Sequence, residues 1–256
     1  MEELIKPYER FAYAYDRMMS NVDYVRWASY VADLFKHYKY EPRDILEIAC
    51  GTGSLTTLLA GRGYKMQGLD RAEGMLTVAR QKAEKQGLDI PFVQGDMLNF
   101  NLQQRFDVVL CIYDSINYAV TESELESVFR AVSRHLNVSG LFIFDVTTER
   151  NIVRHFHSQT FAENHNDYSY IWKNTYSYQD KICHTALTFF IREGELFHRF
   201  EEIHTQKIFE VNTVKKLLQK TGYKMLSAYD MYTFNRWSRH SDRINFTACK
   251  EEEIEQ

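Results

Sequence analysis

The chain has 256 residues, with 45% hydrophobic and 26% charged residues and a formal net charge of −4, which suits one α/β domain or one domain with a large insertion. No long basic run is present, so strong sequence-independent binding of nucleic acid is disfavoured. The charged N-terminus lacks a signal-peptide pattern, no segment reaches the ~20 apolar residues of a membrane span, and four scattered cysteines suit a reducing compartment, so we expect a cytoplasmic protein without membrane contact.

The first predicted elements are helices. Apolar and aromatic residues recur at helical spacing through residues 8–37, in "YERFAYAYDRMM" and "YVRWASYVADLFKHY". Asn21 is a candidate cap for the second helix, and the Glu41-Pro42 step ends the helical part. Residues 1–40 therefore form a predicted N-terminal helical segment.

Residues 41–150 alternate short apolar segments with amphipathic ones. The strands are predicted in "DILEIAC", "YKMQGLD", "IPFVQGD", "RFDVVLCIY" and "GLFIFDV". The helices between them are predicted in "GSLTTLLAGRG", "EGMLTVARQKAEKQG" and "ESELESVFRAVSRHLN". This alternation predicts βαβ units and a parallel sheet that is covered on both faces.

The pattern changes in the predicted insertion, residues 155–209, and no clear helix is predicted from about residue 160 to 209. Three segments alternate like strands, "YSYIWKNTYSY", "KICHTALTFFI" and "LFHRFEEIHTQKIF", and turn-like "QD" and "REGE" separate them. We expect an antiparallel sheet inserted after the fifth strand. Residues 210–250 then contain a closing helix and two closing strands.

The glycine turn after the first strand distinguishes between ligands. Gly53 is followed by Ser-Leu and not by Lys-Ser/Thr, which excludes a P-loop. Thr56 stands where a dinucleotide fold has its third glycine. Glu47 lies four residues before Gly51, where a carboxylate would repel a pyrophosphate and attract a cationic ligand. Asp70, at the end of the second strand, can accept ribose hydroxyls from any adenosine ligand.

Four motifs in register carry a family resemblance. "LEIACGTG", Asp70 closing "MQGLD", "GDM" at 95–97 and "FDVVLCIYDSINY" at 106–118 resemble those of class I S-adenosylmethionine-dependent methyltransferases. The resemblance implies methyltransferase activity with S-adenosyl-L-methionine as cofactor. It also implies an α/β fold with a Rossmann-like, doubly wound seven-stranded sheet whose last strand is antiparallel. The chain would be a single methyltransferase domain, 1–256, with a lid at 1–40 and a cofactor-binding core at 41–150.

The resemblance also implies a cofactor site. Gly51 and Gly53 would approach the methionine part of the cofactor, and Glu47 would hold its amino group. Asp70 would bind the ribose hydroxyls, and Asp96 would accept from the adenine amino group. The full set is Glu47, Gly51, Gly53, Asp70, Arg71, Met75, Asp96, Met97, Ile112 and Tyr113. Other interpretations stay open: Glu47 as a buried carboxylate bonded to backbone, Asp70 as a helix cap, Asp96 as a turn former and Met75 as core.

The acceptor is less constrained by the sequence. The inserted sheet resembles that of aminosugar N,N-dimethyltransferases and glycine/sarcosine-type N-methyltransferases, which implies a small polar acceptor such as an amine. No catalytic residue is assigned. The candidates are Tyr15 on the lid, with Tyr8 or Tyr13 nearby, and a histidine general base, which would be His184, His198 or His204. We expect no metal site, since no tight ligand spacing occurs.

Several alternatives remain. Exposed edge strands of the insertion would also suit a homodimer contact. The enzyme could instead modify tRNA or protein, although nucleic acid is a disfavoured partner. A non-catalytic protein that retains the cofactor pocket is disfavoured because Glu47, Asp70 and Asp96 are all present. A nucleotide-dependent dehydrogenase is disfavoured by Thr56 and Glu47.

Overall fold

The computed structural model describes residues 12–251, except for the side chain of Tyr13. Two helices precede the first strand: α1 (Ala12–Met18) and α2 (Tyr24–His37). Strands and helices then alternate: β1 (Asp44–Ile48), α3 (Ser54–Ala60), β2 (Lys65–Asp70), α4 (Glu73–Lys85), β3 (Phe92–Gln94), β4 (Phe106–Cys111), α5 (Glu122–His135) and β5 (Leu136–Thr147). A 3-10 turn at Ser115–Tyr118 lies between β4 and α5.

The second half of the chain begins with a short helix and continues with strands. Its elements are α6 (Glu149–His155), β6 (Thr160–Asn164), β7 (Tyr168–Ser177), β8 (Ile182–Glu193), β9 (Leu196–Lys207), α7 (Val211–Lys220), β10 (Tyr223–Asp230) and β11 (Arg243–Lys250).

The main sheet has seven strands in the order β10-β11-β5-β4-β1-β2-β3. Strands β1 to β5 pair in parallel, whereas β11 is antiparallel to both of its neighbours, β5 and β10. The central strands β1, β4 and β5 are buried almost throughout, because helices cover both faces. The predicted Rossmann-like sheet with an antiparallel last strand is confirmed.

The insertion after the fifth strand is a separate four-stranded antiparallel sheet in the order β6-β7-β8-β9. Its three long strands match the sequence prediction, but α6 and β6 were missed. All five residues of β6 are exposed, so "TFAEN" has no buried face that a pattern could reveal. The short helix α6 is fixed by a cap, since the Thr148 side chain accepts from the backbone N–H of Asn151. The predicted homodimer contact through this sheet stays a prediction.

Helix α1 lies between the inserted sheet and the main domain. Ala14 packs with the inner face of the inserted sheet, including Tyr170 and Phe200. Ala12 packs on the other side with Met75 of α4.

The predicted cap of the next helix was wrong: Asp23, and not Asn21, caps α2 by accepting from a backbone N–H. Residues 1–11, which include Tyr8 and the first four residues of "YERFAYAYDRMM", lie outside the described residues.

Candidate active site

The glycine turn between β1 and α3 follows an unusual backbone path. Ala49, Gly51 and Gly53 all have positive φ, from 52° to 68°. A Cβ at Gly51 would meet no atom within 4 Å, whereas one at Gly53 would lie 3.0 Å from the Ala79 side chain and 3.1 Å from the Phe92 ring. Gly51 thus borders open space, while Gly53 allows helix α3 and its neighbours to pack closely.

Asp70 holds this turn in place. Its buried carboxylate accepts from the N–H of Gly51 at 2.8 Å and from the N–H of Ala72 at 2.9 Å. Burial raises the pKa of Asp70 above its usual value, although both backbone donors oppose the shift. Each carboxylate oxygen keeps a second lone pair, so Asp70 can brace the turn and still accept from a ligand hydroxyl.

A cavity lies beside Asp70 at the carboxyl ends of the parallel strands, and we call it the strand-end cavity. Part of its wall is formed by six residues of the predicted site: Gly51, Asp70, Arg71, Met75, Asp96 and Met97. Asp96 also accepts from the N–H of Leu98 at 2.9 Å, so it forms the turn as well as lining the cavity. The structure therefore brings the predicted adenosine-side residues together.

A second cavity, the glycine-turn cavity, lies on the other side of Gly51. Glu47, Ile112 and Tyr113 line it, whereas Gly53 lines neither this cavity nor the strand-end cavity. The side-chain position of Gly53 is filled by Ala79 and Phe92, so this glycine permits close packing, and its predicted backbone approach to a ligand stays a prediction.

Glu47 is buried at the base of the glycine-turn cavity. The hydroxyl of Thr56 donates to its carboxylate. Thr56, which stands where a dinucleotide fold has its third glycine, therefore contacts Glu47 directly. Burial raises the pKa of Glu47 to about 8. A buried carboxyl at such a position is stabilised in its ionised form by a cation brought close to it.

The end of β4 is held in a strained conformation. Tyr113 and Asp114 have φ values of 66° and 50°, a conformation that costs about 1–3 kcal/mol per non-glycine residue. Their N–H groups donate to the two carboxylate oxygens of Asp145, at 2.6 and 2.9 Å. Arg243 bridges the carboxylates of Asp145 at 2.5 Å and Asp114 at 2.6 Å. This cluster fixes Tyr113 at the wall of the glycine-turn cavity.

A third cavity, the inter-sheet cavity, lies between the main sheet and the inserted sheet. It shares Tyr15, Ser115 and Tyr118 with the strand-end cavity. Its other wall is the inner face of the inserted sheet, where Asn174, Thr185 and His204 form a buried polar row.

Asn174 in this row has a defined orientation. Its side-chain oxygen accepts from the indole N–H of Trp172 at 2.7 Å and from the Thr185 hydroxyl at 2.6 Å. Its amide nitrogen is buried and has no hydrogen-bond partner among the described residues. An unmet buried donor costs about 1–3 kcal/mol, so this N–H group is suited to a ligand oxygen.

Helix α1 closes the three cavities on one side. Tyr15 lines all of them. The next residue, Asp16, accepts from the Thr52 hydroxyl at 2.6 Å and pairs with Lys82 of α4 at 2.8 Å. Arg17 pairs with Asp167 in the loop between β6 and β7 of the inserted sheet. The helix is thus attached by ion pairs to both parts of the structure.

Neither His184 nor His198 lines any of the three cavities described above. His184 is on the outer face of β8, where it contacts Thr205, and His198 lies near the distal hairpin, where it contacts Glu193. Both side chains are exposed. His204, on the inner face of β9, does line the inter-sheet cavity. The alternation along each strand was visible in the sequence, but which face meets the domain was not.

Four further residues of the site were not singled out from the sequence. These are Tyr118, Asp145, Asn174 and Arg243, and a strand-end carboxylate in "FIFDV" was the one available signal among them.

The helices described between residues 12 and 251 include none that is long and apolar enough to cross a membrane. The described residues also contain no group of three or more His, Cys, Asp or Glu side chains arranged for a metal ion.

Comparisons with known proteins agree with this architecture. A methyltransferase domain family matches residues 45–140. A protein of Geobacillus sp. (strain WCH70) whose name places it among methyltransferases is 34% identical over 95% of this chain and 99% of its own length. The crystal structure of an S-adenosylmethionine-dependent methyltransferase from Clostridium acetobutylicum superposes with a TM-score of 0.84 at 29% identity, covering 96% of this chain and 99% of the other. The dTDP-3-amino-3,4,6-trideoxy-alpha-D-glucopyranose N,N-dimethyltransferase of Streptomyces venezuelae is 32% identical over 48% of this chain and 50% of its own length.

Proposed function

This chain belongs to the S-adenosylmethionine-dependent methyltransferases, and we propose that it transfers the methyl group to a small polar acceptor, specifically an amine, that binds in the inter-sheet cavity. S-adenosylmethionine supplies an electrophilic methyl group on a sulfonium sulfur. What the protein adds is the alignment of the acceptor atom with that methyl group, which can account for a large part of the rate.

We assign the cofactor to the two cavities on either side of Gly51. The adenosine part would lie in the strand-end cavity, with its ribose hydroxyls on Asp70 and its adenine beside Asp96. The amino-acid part would lie in the glycine-turn cavity, with its ammonium on Glu47. Buried carboxyls at both ends and an open backbone position between them fit a ligand that carries hydroxyl donors and a cation.

The observation that carries the acceptor proposal is the shared wall at Tyr15, Ser115 and Tyr118. Because these residues border both the strand-end and the inter-sheet cavities, a ligand in each would meet there. The inter-sheet cavity is covered by α1 and by the inserted sheet, which favours a small molecule over a macromolecular substrate.

The polarity of the inter-sheet cavity supports a neutral polar body on the acceptor. Among the described residues that line it, Arg243 is the only side chain with a fixed positive charge, and it is paired with Asp114 and Asp145. The unmet N–H group of Asn174 offers a donor for a hydroxyl or carbonyl oxygen. The relative that methylates an amino sugar adds support for an amine, because such a substrate carries hydroxyls beside its nitrogen.

The test is transfer of a labelled methyl group. The protein is incubated with methyl-tritiated S-adenosylmethionine and separate pools of small amines that include amino sugars, of peptides and of tRNA. We expect label in the small amines. Label confined to tRNA or to peptides would overturn the proposal.

A pair of variants on β7 connects the activity to the inter-sheet cavity. Asn174→Ala removes the inward donor, and Lys173→Ala changes the neighbouring outward-facing residue. Loss of one hydrogen bond of about 0.5–1.5 kcal/mol predicts a roughly 2- to 13-fold rise in the KM for the amine in the first variant. The KM in the second should stay unchanged, and equal effects in both variants would place the acceptor elsewhere.

A further inference from the structure

Tyr118 occupies the boundary between the cofactor and acceptor spaces. It ends the 3-10 turn after β4 and lines both the strand-end and the inter-sheet cavities. Its hydroxyl oxygen lies 2.9 Å from Nδ1 of His204. A phenol in this place can contact an acceptor atom while it is hydrogen-bonded to an imidazole.

His204 is in turn placed beside a carboxylate. Glu202 lies two residues earlier on β9, so both side chains are on the inner face of the strand, and Nε2 of His204 is 3.2 Å from Oε2 of Glu202. Both residues are buried, Glu202 completely. The negative charge of a carboxylate at this distance favours the proton on Nε2 over Nδ1. Nδ1 is then left as the acceptor for the Tyr118 hydroxyl.

We propose that Tyr118, His204 and Glu202 form a proton path that removes the proton from the acceptor nitrogen before methyl transfer. This inference rests on the proposed function, since an amine that is protonated in water has no free lone pair. Tyr118 and His204 would act as catalytic residues, because both line the acceptor cavity. Glu202 would be a positioning residue that acts through His204.

The proposed step removes one proton from the acceptor nitrogen before the methyl group is transferred. The ammonium R–NH₃⁺ gives a proton to the Tyr118 oxygen while the Tyr118 hydroxyl proton moves to Nδ1 of His204, which becomes an imidazolium beside the Glu202 carboxylate. The nitrogen lone pair then forms the N–C bond to the methyl group, and the S–C bond breaks with its electron pair on sulfur. The products are R–NH₂CH₃⁺, S-adenosylhomocysteine and one proton, which His204 later releases to water.

Other titratable groups around this path are poorly suited to the role. Burial raises the pKa of Cys183 to about 11 and that of Tyr113 to about 12, so both stay protonated near neutral pH. Asp114 and Arg243 are paired with each other. Tyr15 is the remaining titratable residue among the described lining residues of the inter-sheet cavity. Among the described elements, β8, which presents Thr185 opposite His204, and the turn that carries Tyr118 pack against β9.

The arrangement of protons can be tested without a substrate. The ring nitrogens of ¹⁵N-histidine-labelled protein with bound S-adenosylhomocysteine are observed near pH 8 by long-range ¹H–¹⁵N spectroscopy, and His204→Gln identifies the signals. We expect the neutral ring protonated on Nε2, and a shift of the Nδ1 signal in Tyr118→Phe but not in Tyr170→Phe, a buried control on the same sheet face. A His204 ring protonated on Nδ1 would overturn the proposal.

Kinetics then test whether the path is used. The probe is the small primary amine that takes up most label in the transfer assay, and kcat/KM is measured from pH 6 to 10. We expect Tyr118→Phe to lose about 100-fold at pH 7 and to recover as the amine loses its proton in solution, because general-base catalysis is then unnecessary. Glu202→Gln should show the same trend with a smaller loss. An equal loss at every pH would indicate a structural role and overturn the proposal.

Failure of the proposed function and failure of the proton path give different experimental results. If the wild-type protein labels no small amine, the proposed function fails, while the histidine spectra still decide whether the proton arrangement exists. If amines are labelled and Tyr118→Phe keeps full kcat/KM at pH 7, the proposed function stands and the proton path is wrong.

Discussion

The buried carboxyl of Glu47 predicts that cofactor binding releases a proton. With a pKa of about 8, Glu47 is mainly protonated in the free protein below pH 8, whereas an ammonium group placed beside it favours the ionised form. The ionised fraction rises from about 1% at pH 6.0 to about 24% at pH 7.5. The affinity for S-adenosylhomocysteine should therefore increase about 25-fold over this interval, or by about 1.9 kcal/mol.

Calorimetry measures both the proton release and the affinity for S-adenosylhomocysteine. Titrations of S-adenosylhomocysteine at pH 6 in two buffers of different ionisation enthalpy should show release of about one proton per complex. Glu47→Gln should remove most of this release and flatten the pH dependence of the affinity. Asp44→Asn is the matched control, since Asp44 is on the same strand at the end away from the cavities, and it should behave as the wild type.

The raised pKa of Glu47 also predicts how the stability of the cofactor-free protein depends on pH. The pKa of Glu47 is raised from 4.5 in the reference state to about 8 in the folded chain, so the folded state binds this proton more tightly than the unfolded state. Stability is then fully present below about pH 4.5 and falls as the pH rises to about 8. Glu47→Gln should reduce this fall in Tm. An unchanged pH dependence of both affinity and Tm in the variant would refute the reasoning.

Three further substitutions test the site. Asp70→Ala should weaken S-adenosylhomocysteine binding about 10- to 150-fold by calorimetry, because charge-assisted hydrogen bonds of about 1.5–3 kcal/mol are lost, and a change below twofold would contradict the ribose assignment. Arg243→Met should cost about 3–5 kcal/mol in urea unfolding, because Asp145 is left buried without its cation, and a cost below about 1 kcal/mol would argue against the cluster. Lys82→Met should raise the dissociation rate of S-adenosylhomocysteine about two- to fivefold in stopped-flow experiments, because Asp16 on α1 loses its partner, whereas an unchanged rate would indicate that the helix does not restrain the ligand.

The parallel core was predictable because strands that are covered on both faces need apolar residues along most of their length. Strands β1 and β4 are buried on both faces and therefore appear as continuous apolar runs. Strand β6 was not predictable, since it pairs through its backbone and buries none of its five side chains. The cap of α2 was assigned to Asn21 when Asp23, two residues later, was equally suited by residue type.

The candidate site also contains residues that the sequence could predict and residues that it could not. Asp70 and Glu47 could be placed because they occur at fixed distances from a glycine turn. His204 could not be distinguished from His184, because the outer face of the inserted sheet also carries apolar residues such as Ile203, so the pattern does not identify the inner face. Arg243 contacts Asp145 across 98 positions, and nothing local in the sequence indicates that pair.

The strained end of β4 has a consequence for how this protein can change during evolution. Asp145 lines none of the three cavities, yet the left-handed backbone of Tyr113 and Asp114 depends on its two oxygens. A replacement at Asp145 would displace Tyr113 from the glycine-turn cavity, and Arg243 would then need a compensating replacement. The ion-paired positions Asp114, Asp145 and Arg243 should therefore vary together among relatives. Changes in substrate range are then easier through the inserted sheet than through this internal support.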